Sequence, residues 1–203
     1  MKPGIVIILN GPSSSGKSSI QKEFQKLTED VYLATGIDDF HVMLPEHYIG
    51  ERTPNDQGIN VNIYEDEGHR VLEVKFGTTA QRIIKGMHES IAALAKVGNN
   101  IIVDYIQYDV GWIEDCMQSL NGYKVYLIGV YCSLEELERR ERKRSLEDPE
   151  REGIMGHARS HYHTVHNHCK YDLIIHSDKR SPYACAEEIF HFISSRNEET
   201  KNQ

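Results

Sequence analysis

The chain has 203 residues, 39% of them hydrophobic and 27% charged, enough for one ordinary globular core and cramped for two. Its formal charge of −8 excludes a broad grip on nucleic acid or anionic lipid, since such binding needs an excess of Lys and Arg over many phosphates. Cys116, Cys132, Cys169 and Cys185 form no CxxC pair and no apolar run reaches the length of a membrane span, so reduced thiols and a cytoplasmic, membrane-free location are expected.

Gly4 to Leu9 is β-branched and apolar without alternation, as in a strand buried on both faces of a parallel sheet. After the loop Asn10 to Gly16, apolar Ile20, Phe24 and Leu27 recur at helical spacing. Val31 to Thr35 reads as a second strand. Leu44 to Gly68 is rich in Asn, Gly, Pro and charge with no clear period, and with its flank the span 44–76 reads as an irregular insertion. Thr78 to Val97 places Ile83, Ile84, Met87, Ile91 and Leu94 on one helical face; Gly98-Asn99-Asn100 stops it and Ile101 to Val103 is a strand. Tyr123 to Tyr131 is another strand. A charged helix from Leu134 to about Arg144 precedes a link, Ser145 to Glu152, then a His-rich helical stretch, a strand at Leu173 to Ile175, and a last helix from Ser181-Pro182. Strands alternating with helices throughout predict an α/β fold, a parallel sheet covered on both faces, as one domain over 1–203.

Gly11-Pro12-Ser13-Ser14-Ser15-Gly16-Lys17-Ser18, with Ser19 beside it, satisfies the phosphate-loop pattern and lies between a buried strand and a helix, where its mechanism requires it. Backbone N–H groups at the helix N-terminus suit phosphate oxygens; Lys17 is expected to face the ligand and reach the terminal phosphates, and Ser18 to place its hydroxyl on magnesium. Asp104 closes an apolar strand at the edge where ligands gather and is expected to orient the metal. Asp38 and Asp39 follow the second strand at the same edge; Asp39 suits an N-cap, leaving Asp38 to align an acceptor hydroxyl. Glu135 to Arg144 pairs Glu with Arg at i,i+4 three times, a solvated helix from which one or two arginines are expected over the phosphates. His157 and His161 have an i,i+4 spacing able to hold a metal, but no HExxH or thiolate pair accompanies them, which favours surface or pocket-lining roles across His157, His161, His163, His166 and His168. ATP and Mg2+ are the expected cofactors. A nucleotide-dependent switch is the rival of another class, weakened by the absence of NKxD and DxxG patterns.

Ile7-Ile8-Leu9-Asn10-Gly11 into the phosphate loop, Gly36-Ile37-Asp38, Ile101-Ile102-Val103-Asp104, and Val165-His166 before Tyr171-Asp172 together resemble the chloramphenicol phosphotransferase-like family. Gly129-Val130 with Cys132, Arg140-Glu141, Arg144, Gly156 with Ala158, and Ser181-Pro182 before Cys185-Ala186 extend the likeness from about Ile5 to Ala186. The resemblance implies a fold like that of nucleoside monophosphate and shikimate kinases, with a five-stranded parallel sheet, a lid at about 139–157, and ATP-dependent phosphorylation of a small-molecule hydroxyl. It implies Asp38 as catalytic base, Lys17 and Ser18 as phosphate and magnesium residues, and Arg140 and Arg144 as lid-side arginines. His161 stands where the family usually has glutamine, Ile175-His176-Ser177 replaces Val-Asp-Thr, and Asp148 to Gly153 lengthens the lid. These departures touch the acceptor side and leave the acceptor open, a nucleoside or nucleotide included; a homo-oligomer is also left open.

Overall fold

The computed structural model describes residues 2–51, 53, 56–148 and 155–201. The main sheet contains β1 (Ile5–Asn10), β2 (Tyr32–Gly36), β6 (Asn100–Tyr105), β7 (Lys124–Tyr131) and β8 (Leu173–His176) in the order β2-β6-β1-β7-β8, with every pairing parallel. Helices α1 (Lys17–Leu27) and α7 (Pro182–Lys201) cover one face, burying Ile20, Phe24, Cys185 and Ile189 against Ile7, Leu9, Ile128 and Val130. On the other, α3 (Thr78–Lys96) and α4 (Trp112–Ser119) bury Ile84, Met87, Ile91 and Ile113 against Val6, Ile8, Ile101 and Val103. Adjacent residues of β1 therefore enter opposite cores, which is why its sequence shows no polar alternation.

Within α3 the buried stripe runs through Ala92 and Ala95, and Leu94, expected inside, is 39% exposed. Small residues let α3 lie close to the sheet, and the stripe turns away from Leu94.

Much of the span 44–76, expected to be irregular, is regular among the described residues. It contains the short β3 (Ile49–Gly50), then β4 (Ile59–Asp66) and β5 (His69–Phe76), which pair antiparallel as a hairpin. Asp66 pairs with His69 across the two-residue turn Glu67-Gly68, where φ is 48° and 78°, the arrangement that matches strand twist. Ile59, Val61 and Ile63 alternate with Asn60 and Asn62, a period-2 signal set against the low strand propensity of asparagine.

Helix α5 (Leu134–Glu147) runs further than expected, absorbing Ser145 to Glu147 of the anticipated link; residues 149–154 of the expected lid lie outside the described residues. Only one of the expected i,i+4 pairs, Arg140 with Glu136 at 2.8 Å, is made. Glu138 instead binds Arg159, and buried Glu141 accepts the N–H groups of Gly156 and Ala158 at 3.0 and 2.8 Å, docking the start of α6 (His157–His161) on α5. The N–H of Leu72 in β5 donates to the Gly156 carbonyl at 3.2 Å, so the hairpin meets the same point. No described helix is long and apolar enough to cross a membrane.

Candidate active site

The site stands at the C-terminal edge of the main sheet. Parallel register sets Leu9 and Gly36 on either side of Asp104, so the phosphate loop after β1 and the short helix α2 (Ile37–His41) after β2 flank this carboxylate. The neighbouring strand approaches so closely that a Cβ on Gly36 would lie 2.8 Å from the Asp104 carbonyl, which reserves the position for glycine. From α1, buried Gln21 donates to the carbonyls of Thr35 and Ile102 at 2.9 and 2.8 Å, tying both strand ends beneath the site.

The loop Gly11 to Ser18 curls into the first turn of α1. Gly16 has φ 95°, left-handed backbone that a side chain would strain, and the Ile20 N–H donates to its carbonyl at 2.9 Å. Lys17 is only 4% exposed, deeper than expected for a ligand-facing residue. Its ammonium donates to the Pro12 carbonyl at 2.9 Å and stands 3.5 Å from Asp104; burial lowers its pKa, with Asp104 opposing that shift. The Ser18 hydroxyl donates to the other Asp104 oxygen at 2.5 Å. Ser13 and Ser14 are half-buried, Gly11, Pro12 and Ser15 buried, and Ser19 exposed.

Two clefts meet at this loop and share Ser14, Lys17, Ser18 and Arg144. The larger, about 640 Å³, opens between α1, α5 and the start of α7, and Arg139, Arg140, Lys143, Lys179 and Arg180 line it. Arg140 donates to the Ser14 and Ser15 carbonyls at 3.3 and 3.2 Å and to the Ser177 carbonyl at 2.8 Å, while Arg144 donates to the Ser14 hydroxyl. The smaller, about 320 Å³, opens toward β2 and β6 and is lined by Asp38, Asp39, Asp104, Ile106 and Tyr108 among others.

Asp38 is 96% exposed in that cleft, 3.4 Å from His41, whose hydrogen bond is the largest cause lowering the carboxyl pKa, against some desolvation. Asp39 turns away: its carboxylate accepts the Gly36 N–H at 2.8 Å from the third position of α2, so it is not the N-cap that spacing suggested.

Tyr108 escaped the sequence, as did the partners of the histidine cluster. Tyr108 lies three residues beyond the end of β6 at Tyr105, stacks on His157 with centroids 5.6 Å apart, and shares a 3.0 Å hydrogen bond with it. Burial lowers the His157 pKa to about 4. His161 is buried against the loop, where it accepts the Ser13 N–H at 3.2 Å. His166 stacks on Tyr131 at 3.7 Å and bonds to Tyr171, whose hydroxyl accepts from Asn10, so it braces the base of the loop. His163 and His168 are exposed. The position of Tyr108 just after a strand at the ligand edge is a readable signal; its partner His157, 49 residues on, is not.

The residues fit a magnesium nucleotide. Ser15 Oγ is buried inside the loop with no hydrogen-bond partner among the described residues, and Ser18 and Asp104 offer hard oxygen donors side by side.

A phosphate loop on this parallel sheet, gripped by arginines from α5, defines a phosphotransferase of P-loop kinase fold. The chain belongs to the chloramphenicol phosphotransferase-like family, whose model matches residues 4–194. It is 27% identical over 190 residues to a Mycobacterium tuberculosis protein named "Putative O-phosphotransferase Rv2636", covering 93% of this chain and 82% of that one. Among solved structures it is similar to the Mycobacterium tuberculosis APS kinase CysC in complex with AMPPNP and APS (TM-score 0.64, 17% identity, 96% of this chain and 99% of that one). A gluconokinase from Sinorhizobium meliloti is also similar (TM-score 0.60, 13% identity, 100% and 98%). At these identities the two structures show the shared fold.

Proposed function

We propose that the protein is an ATP- and magnesium-dependent O-phosphotransferase acting on a hydroxyl of a small molecule. The observation that carries this reading is the meeting of two unlike clefts at one phosphate loop, cationic on the α5 side and carrying Asp38 and Asp104 on the β2 side. Loop amides and Lys17 hold phosphates, Arg140 and Arg144 offset their charge, and Ser18 with Asp104 holds the metal. Bound Mg–ATP supplies the phosphoryl group and the Lewis acid. Asp38, exposed in the second cleft beside His41, keeps lone pairs to accept a hydrogen bond from the acceptor hydroxyl and hold it in line. The O-phosphotransferase name of the 27% identical relative agrees with a hydroxyl acceptor.

Incubation with γ-labelled ATP, magnesium and a panel of amphenicols, aminoglycosides, nucleosides and sugars tests this. A labelled small molecule is expected, lost on chelation with EDTA and regained with added magnesium. Nucleosides belong in the panel because Tyr108 presents an aromatic side chain to the acceptor cleft. Slow hydrolysis with no labelled product, together with a captured protein partner, contradicts the reading and revives a nucleotide-dependent switch.

A further inference from the structure

No histidine of the segment from His157 to His168 lines either cleft. His161 is 4% exposed, with its two ring nitrogens in different roles. Nε2 accepts the Ser13 N–H at 3.2 Å. Nδ1 lies 3.1 Å from the Ser160 hydroxyl, whose own hydrogen goes to the His157 carbonyl at 2.8 Å, so the Ser160 oxygen is left to accept from Nδ1. One neutral tautomer satisfies this chain, with the proton on Nδ1 and the Nε2 lone pair on the phosphate loop. Burial, then the nearby His157, Lys17 and His166, hold the imidazole well below its ordinary pKa and so keep it neutral.

The loop needs such a hold. Ser14 has φ 67°, a left-handed conformation costly for a residue other than glycine and persistent only where its surroundings over-determine it. Arg140 and Arg144 hold Ser14 and Ser15 from one side; His161 holds Ser13 from the other. The two sides belong to one unit, because Glu141, on the arginine helix, fixes the start of α6 through Gly156 and Ala158.

We propose that His161 is a positioning residue for the phosphoryl donor: by accepting the Ser13 N–H it holds the strained phosphate loop in the shape that receives a triphosphate. It never touches the reacting atoms. The inference rests on the donor reading above.

The test is calorimetric binding of Mg–ATP to wild type, His161→Leu and His161→Gln. Leucine fills the space without an acceptor, and Kd is expected to rise about fivefold, the effect of one hydrogen bond; glutamine offers an oxygen to Ser13 and is expected to stay within about twofold of wild type. The donor KM should follow Kd while kcat at saturating ATP holds. Equal affinity of His161→Leu and wild type, tighter binding by it, or equal weakening in both variants overturns the proposal. Should His161→Leu fail to fold, Ser160→Ala serves instead: loss of the Nδ1 partner is expected to give mixed tautomers in imaging of the ring nitrogens by NMR and weaker Mg–ATP binding, and unchanged affinity overturns the proposal. Failure of wild type to bind Mg–ATP would sink the donor reading, a result distinct from all of these.

Discussion

Asp38→Asn is expected to lower phosphoryl transfer by about 10²–10⁴-fold while Mg–ATP affinity stays within about twofold, because in the proposed role the carboxylate acts on the acceptor and not on the donor. The substitution is isosteric and the side chain is exposed, so stability should fall only slightly, with the loss of the His41 pairing. Its pH behaviour separates two roles. His41 holds the Asp38 carboxyl below its ordinary value of 3.8, so the group is ionised throughout the neutral range and orients the hydroxyl more than it draws a proton from it. As pH falls from neutrality, Asp38 should cause no loss of activity until below the usual carboxylate range. An acid limb near neutrality that vanishes in Asp38→Asn would show a raised pKa and contradict the observed pairing with His41.

Lys17→Met is expected to reduce transfer at least about a thousandfold and to abolish measurable ATP binding, the scale of losing a preorganised cation on transferring phosphate. The fold should survive. Lys17 is almost wholly buried, and burial lowers its pKa from 10.5. The folded chain thus binds this proton more weakly than the unfolded chain, so the group opposes folding below its lowered pKa and that opposition fades as pH rises to 10.5. Methionine removes the penalty while keeping most of the volume, and Asp104 keeps Ser18 and solvent. Urea unfolding at neutral pH should therefore show Lys17→Met no less stable than wild type. Clear destabilisation would make Lys17 a structural ion-pair partner first.

The parts of this molecule that sequence made legible share a physical cause. β1 and β6 are flanked by helices on both faces, so unbroken apolar runs mark them, and the loop at Gly11 to Ser18 is constrained by the backbone shape phosphate demands. Asp104 and Asp38 followed from their places at strand ends. The β4–β5 hairpin was missed because Asn60 and Asn62 have low strand propensity and its turn uses Glu67 where Asn would have been a stronger sign. α4 is only eight residues long and left no periodic run. In α5 the charges hid the distinction between Glu136, paired locally, and Glu141, which is buried and holds α6 from a distance. The i,i+4 histidines were visible, but what they touch, Ser13 and Tyr108, depends on how α6 docks. Tertiary partners of this kind have no local signature.

A structure of the protein crystallised with magnesium and a non-hydrolysable ATP analogue tests the two-cleft arrangement most directly. The expected result is a triphosphate in the loop Gly11 to Ser18, the metal on the Ser18 and Asp104 oxygens, the base on the Arg140 and Arg180 side, and Asp38 across from the terminal phosphate. A nucleotide base lying instead in the Asp38 cleft, or a metal away from Ser18 and Asp104, would contradict it.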